Sequence, residues 1–148
     1  MSTYTQIIYQ IVFGTKYRIH ALTQPNRAEM FKYMANIIRN RNCHLYQING
    51  VEDHIHIILS LHPSISLASL VKDIKVSSSI FIKEKKLFKD FCGWQVGYGA
   101  FTYNIIEKHK LIQYVINQEH HHRTISYKEE YTDLLNEHGI DFNEQYLW

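Results

Sequence analysis

The chain has 148 residues, 45% of them apolar and 20% charged, which is ordinary for a globular protein and suffices for one core without disulfides or structural metal. No stretch approaches the roughly 18 unbroken apolar residues of a membrane span, and the N-terminus lacks the basic start of a secretory leader. A single domain over residues 1–148, cytoplasmic and away from membranes, is therefore expected. The net charge of +2 permits nucleic-acid contact without arguing for it, and Cys43 and Cys92 form no CxxC pair. Ten histidines and eleven tyrosines direct attention to metal and tyrosine chemistry.

From Tyr4 to Phe13 the chain is rich in Ile, Val, Tyr and Phe and stops at Gly14, which predicts a strand. Pro25 suits the first turn of a helix, and Met30, Phe31, Met34, Ile37 and Ile38 continue it at helical spacing to about Arg41. A second strand is predicted from Cys43 to Ile48, ending at the hairpin dipeptide Asn49-Gly50. A third runs from His54 to Leu61. Ser66 then caps a helix whose stripe is Leu67, Leu70, Val71, Ile74 and Phe81, with Lys72, Lys75, Lys83, Lys85 and Lys86 mostly off it. A loop through Gly93 leads to a fourth strand, Tyr98 to Tyr103, and a helix from Ile105 to Glu119. A short amphipathic helix, Tyr127 to Glu137, stops at Gly139. The order predicts an α+β fold: a ferredoxin-like β-α-β-β-α-β antiparallel sheet with helices on one face and an added C-terminal helix.

Two constellations carry chemistry. Side chains alternate along a strand, so His54 and His56 share one face while Ile55, Ile57, Leu59 and Leu61 take the other. Residues two apart stand roughly 7 Å apart at Cα, which lets two imidazoles converge on one ion. A bare His-x-His also suits two solvent-facing strand histidines. Tyr114 and Gln118 lie four apart and share a helical face. Carried through at helical period, Ile105, Ile112 and Ile116 form the apolar side of that helix, with Glu107, Tyr114, Gln118 and His121 opposite. An exposed surface tyrosine is the bland alternative. Together the sets suit phosphoryl transfer: a tyrosine hydroxyl, of pKa about 10, needs activation, and a divalent cation can stabilise charge on a scissile phosphate. No GxxxxGK[ST] phosphate loop is present.

These residues resemble the TnpA-type single-tyrosine HUH transposases of small bacterial insertion sequences. His54-Ile55-His56 is similar to that family's His-hydrophobic-His motif, and Tyr114-Val-Ile-Asn-Gln118 to its YxxxQ nucleophile helix. Asn49 to Asp53 resembles its approach to the histidines, Trp94 to Phe101 its entry to the fourth strand, Ile11 to Phe13 with Thr15, Lys16 and Arg18 its first strand and basic loop, and Tyr127 to Trp148 its C-terminus. The resemblance implies that His54, His56 and Gln118 bind Mg2+ or Mn2+ and that Tyr114 is the nucleophile. It also implies binding of hairpins at element ends, with cutting and rejoining of single-stranded DNA through a 5′-phosphotyrosine. It implies a homodimer, in which one subunit's tyrosine helix can complete the other's histidine site. Lys16, Arg18, Lys72, Lys75 and His121 are candidate DNA contacts. Gln10 stands where many members carry a histidine, outside both constellations. The alternative is a catalytically silent hairpin-binding relative, distinguished by binding without metal-dependent nicking.

Other residues read more plainly. In His120-His121-His122 only His121 shares the Tyr114 face, and histidines ending a helix favour its negative end. Asp53 could orient an imidazole, although on an ideal strand it faces away from His54. Trp94, Tyr98 and Tyr103 suit the core or an interface, or stacking on unpaired bases.

Overall fold

The computed structural model describes residues 1–147; Trp148, the end of the tail segment noted above, lies outside the described residues. The elements are β1 (Ile8–Gly14), α1 (Arg27–Asn40), β2 (His44–Gly50), β3 (His54–Ser60), α2 (Leu67–Lys85), β4 (Gly99–Tyr103), α3 (Lys108–Ile116), α4 (Gln118–His121) and α5 (Tyr127–Glu137). The sheet order is β2-β3-β1-β4 and every neighbouring pair is antiparallel, the ferredoxin-like arrangement expected. No helix among the described residues is long and apolar enough to cross a membrane.

Strand alternation divides the core. Ile11, Phe13, Ile55, Ile57 and Leu59 face the crossover helices, meeting Met30, Met34 and Ile38 of α1 and Leu70, Val71 and Ile74 of α2. Each side chain fully buried there contributes roughly 1.5–3 kcal/mol relative to exposure. Ser66 caps α2 by accepting from Ser69 N, as the sequence indicates. The opposite face is covered too. Leu111 and Val115 of α3 pack on Ile8 and Ile58, while Tyr127, Tyr131, Leu134 and Leu135 of α5 pack on Val12 and Phe101. The sheet is thus a layer between α1/α2 and α3/α5, and the face that carries His54 and His56 is interior rather than solvent-facing.

Four departures from expectation exceed one residue, and two of them shape the site. The first strand begins at Ile8, because Ile8 already lies opposite Tyr103, the last residue of β4. The first helix begins at Arg27 rather than at Pro25. Asn49-Gly50 is not the hairpin turn: Asn49 pairs with His56 and Gly50 with Ile55, and the chain reverses over residues 51–53. Asn49 is occupied elsewhere, since its Nδ2 donates to the carbonyls of Val115 and Ile116 at 3.0 Å each and closes the end of α3. The helix expected over Ile105 to Glu119 is accordingly broken. A single 3-10 turn precedes α3, and Asn117 separates α3 from α4.

Gly50 is fixed by close packing at the start of the hairpin that delivers His54. A Cβ there would collide with the His54 carbonyl oxygen and stand 2.9 Å from Ile55 Cα, both backbone atoms. Gly50→Ala is expected to destabilise the fold by about 1–3 kcal/mol, the usual cost of overpacking, read as a lower urea midpoint at unchanged m-value.

Candidate metal and tyrosine site

The site is built where β3, α3, α4 and α5 meet. His54 and His56 are fully buried side by side on β3, their ring centroids 5.2 Å apart. Each imidazole is held through Nδ1. His56 Nδ1 donates to Gln10 Oε1 at 2.8 Å, because the Gln10 amide nitrogen is itself committed to Tyr103 Oη at 2.7 Å. His54 Nδ1 donates to Asp53 Oδ1 at 2.7 Å. Asp53 belongs to the hairpin turn and not to the strand, so strict alternation does not govern its side chain, and it reaches the ring beside it. Tyr127 stacks on the other side of His54, with centroids 4.1 Å apart and planes 8° apart.

With Nδ1 occupied, both Nε2 atoms face inward, and there they meet Glu130 of α5. Its Oε1 lies 3.0 Å from His54 Nε2, 2.8 Å from His56 Nε2 and 3.0 Å from His122 Nε2. His122 is oriented in the same manner, its Nδ1 donating to the Ile125 carbonyl at 2.7 Å. The other oxygen of Glu130 accepts from Tyr114 Oη and, at 3.1 Å, from Gln118 Nε2, with His121 Nε2 at 3.3 Å. One carboxylate therefore joins the histidine pair to the tyrosine.

Electrostatics follow from this crowding. Burial opposes ionisation of Glu130, but the surrounding imidazoles outweigh it and hold the carboxyl far below the usual carboxylate range. Burial likewise opposes the charge of Asp53, and the His54 contact overcomes it, leaving that pKa lowered. Burial lowers the His56 pKa, while Asp53 and Glu130 reverse the effect of burial on His54 and raise it. Burial, then the charge of Glu130, push the Tyr114 hydroxyl well above its ordinary value, and burial lifts Tyr103 to about 12. In this arrangement the tyrosine is a protonated donor.

The residues fit a divalent cation. Donor atoms of His54, His56, His122 and Glu130 all lie within 4.8 Å of one another. Gln118 is fully buried, and its Oε1 is a buried oxygen without a hydrogen-bond partner. An unpaired buried acceptor is costly, and a cation is one way to satisfy it. Gln10 is then no bystander, because it sets which nitrogen of His56 carries the proton. Gln10→Ala is expected to weaken divalent-metal affinity about 10–100-fold, measured by isothermal titration, with little change in the far-UV circular dichroism.

The structure brings Tyr114, His54, His56, Gln118 and His121 together within one chain. Tyr114 is half-buried rather than displayed, its ring 5.9 Å from that of His56. The buried side of its helix is Leu111 and Val115, whereas Ile105 and Ile116 are more than 40% exposed. The expected apolar side holds for Ile112, partly buried in the same cluster, and fails at Ile105, which lies in the preceding 3-10 turn, and at Ile116. The lysines stand apart. Lys72 is exposed on α2, across the sheet from the histidines, and Lys16 is exposed with its ammonium 5.3 Å from the Tyr17 ring. Lys75 is already engaged: its ammonium donates to the carbonyls of Gln95 and Gly97 and lies 5.0 Å from the Phe13 ring. Desolvation lowers its pKa to about 8. Arg18 lines a cleft of about 280 Å³ with His20, Asp53, Ser126, Tyr127 and Lys128, directly beside the histidine pair. Trp94 is core, with Nε1 donating to Ser78 Oγ at 3.0 Å.

Sequence reasoning missed two residues. His122 sits at a helix end, where a histidine has an ordinary reason to stand, but the turn at Asn117 redirects α4 and brings its ring within 4.4 Å of that of His54. Glu130 drew no attention, although it lies among Tyr127, Tyr131 and Leu134 on the buried face of α5. A carboxylate on an apolar stripe was the available signal.

A paired-histidine strand and a neighbouring tyrosine on a ferredoxin-like sheet point to the HUH class of transposases. Residues 3–118 match the family model for IS200-like transposases, and the chain belongs to that family. It is similar to the transposases for insertion sequence element IS200 of Salmonella typhimurium and Salmonella typhi, 29% identical to each over 77 residues. That match spans 52% of this chain and about half, 51%, of those relatives. The fold is similar to a protein described as a transposase from Deinococcus radiodurans, with TM-score 0.62 and 19% identity over 80% of this chain and 95% of that one. It is also similar to a REP-associated tyrosine transposase bound to a REP hairpin, with TM-score 0.60 and 17% identity over 84% of this chain and 76% of that one.

Proposed function

We propose that this chain is a metal-dependent transposase that binds DNA hairpins and cuts and rejoins the adjacent single strand with Tyr114. The observation that carries the reading is the meeting of Tyr114 with His54, His56 and Gln118 in one buried cluster of a chain in this family. His54 and His56 would hold Mg2+ or Mn2+, with the unpaired Gln118 Oε1 the further donor. A divalent ion held there supplies charge stabilisation for a phosphoryl transition state. The chain's own groups do the rest. Asp53 and Gln10 fix the imidazoles, Gln118 holds Glu130, and Glu130 orients the Tyr114 hydroxyl.

In the reaction Tyr114 Oη forms a bond to phosphorus as the bond from phosphorus to the 3′-oxygen breaks. The proton lost by the tyrosine balances the one gained by the leaving 3′-oxygen. The 5′-phosphotyrosine keeps a phosphodiester, so a 3′-hydroxyl reverses the reaction without a nucleotide. Two clefts flank the site with unlike charge. The cleft of about 380 Å³ beside Tyr114 is lined by Glu107, Asp133 and Glu137 with Lys110. The other carries Arg18, His20 and Lys128 with Asp53. The single strand would enter on this basic side, where cations meet its phosphates. All the named groups lie in one chain, so a homodimer would not be needed to bring the tyrosine to the histidines.

The test is a labelled single strand carrying candidate element ends, incubated with Mg2+ or Mn2+ and run on a denaturing protein gel. A covalent protein–DNA band supports the reading. No band, with hairpin binding intact, replaces it with a binding-only relative.

A further inference from the structure

We propose that His122 and Glu130 complete the metal site within the same chain. His54, His56, His122 and Glu130 would form a nitrogen-rich tetrad, with Gln118 Oε1 as a fifth donor, that prefers first-row transition ions such as Mn2+ over Mg2+. The proposal rests on the reading that His54 and His56 hold the metal. It goes beyond the family match, which ends at residue 118, before either added ligand.

Three observations carry it. The first is proton placement. Each of the three imidazoles has Nδ1 against an acceptor: Asp53 for His54, Gln10 for His56 and the Ile125 carbonyl for His122. A neutral imidazole donating through Nδ1 presents a lone pair at Nε2. The three Nε2 atoms converge on one carboxylate oxygen, at 2.8–3.0 Å. Protons hold these nitrogens against the carboxylate in the metal-free chain, and a divalent cation that displaces them would be shared among the same atoms. Histidine ligands held through the opposite nitrogen are the usual pattern at metal centres.

The second observation is spacing. Nitrogen and oxygen ligands stand about 2.0–2.2 Å from a transition ion, which places neighbouring ligands about 3 Å apart. The Nε2 atoms of His54 and His122 are 3.0 Å apart, and each lies 3.0 Å from Glu130 Oε1. The third is anchorage. Ser126 caps α5 by accepting from Glu129 N, and Leu134 and Leu135 fix the helix to the sheet. Glu130, 2% exposed, is thereby delivered by a packed helix rather than a loose tail. The donor set then decides the ion. Imidazole nitrogen favours transition metals, whereas Mg2+ prefers all-oxygen, largely hydrated sites.

Metal binding without DNA tests this, read by loss of the free Mn2+ paramagnetic-resonance signal on titration and by Mg2+ competition. Wild type, E130Q, H122A and H56A are compared, with circular dichroism as the check on folding. Mn2+ should bind wild type at least about tenfold more tightly than Mg2+, and E130Q and H122A should each lose at least about tenfold in Mn2+ affinity. If E130Q does not fold, H122A carries the same comparison. Loss of binding in H56A alone overturns the tetrad and leaves the histidine-pair reading standing. Tighter binding in E130Q also overturns it, making Glu130 a plug that the metal displaces. Equal affinity for Mg2+ overturns the stated preference. No Mn2+ binding by wild type overturns both this proposal and the histidine-pair reading.

Discussion

Tyr114→Phe is expected to abolish the covalent protein–DNA band and to lower strand cleavage by at least about four orders of magnitude, the scale seen when a covalent nucleophile is removed. The substitution deletes one oxygen. The ring keeps its place against the cluster of Ile8, Ile58, Leu111 and Val115. Glu130 loses one donor and retains three imidazoles and the Gln118 amide. Loss of one such hydrogen bond costs about 1–3 kcal/mol, too little to account for complete loss of cleavage in a folded protein. Hairpin affinity, measured by fluorescence anisotropy, should remain within about twofold of wild type, because Tyr114 is removed from the basic cleft of Arg18 and Lys128. Cleavage retained in the folded variant would remove Tyr114 from the mechanism and direct attention to the remaining hydroxyls near the site.

What the sequence reveals depends on how local the determining physics is. The period of two in His54-Ile55-His56-Ile57 follows from strand geometry alone, and it correctly put the histidines on the face opposite the isoleucines. It could not say that α3 and α5 would cover that face, because burial is decided by elements distant in sequence. The order of elements was legible for the same local reason, and the β2-β3-β1-β4 topology follows from it. The helix carrying Tyr114 was legible as a helix but not in its ending. Asn49 closes α3 from another strand, and no helical period contains that contact. The faces of Gln118 and His121 were legible beyond the break, but the turn at Asn117 also brings in His122, which the helical period leaves off that face. Glu130 was concealed differently: as an acid in the first turn of α5 it already had a reason to exist, since negative charge suits a helix N-terminus. Its burial beside Tyr127 and Tyr131 required that the sheet's second face be a packed interior. Gln10 was set aside because it belonged to neither motif, yet the register that places Val12 opposite His56 brings Gln10 to the same ring from the adjoining strand.

His56→Ala carries the second large effect, and it separates a metal role from a packing role. The side chain is completely buried between Gln10 and Glu130, so its removal leaves a cavity and deprives both groups of a partner. An unsatisfied buried polar group costs about 1–3 kcal/mol, so the variant should unfold at lower urea even without metal. That loss alone would scale all activities together. A ligand role predicts a different pattern: wild-type cleavage should fall at least about a hundredfold when a chelator replaces Mn2+, whereas in folded His56→Ala that ratio should collapse to about one. The Mn2+-dependent rise in unfolding midpoint should vanish with it, because an ion that no longer binds the native state cannot stabilise it. A folded variant that keeps the full metal response in both measurements would place the ion elsewhere and make His56 a packing residue. The two readouts use different chemistry, one requiring DNA and one not. Agreement between them would tie cleavage to the same buried imidazole that Gln10 orients and Glu130 connects to Tyr114.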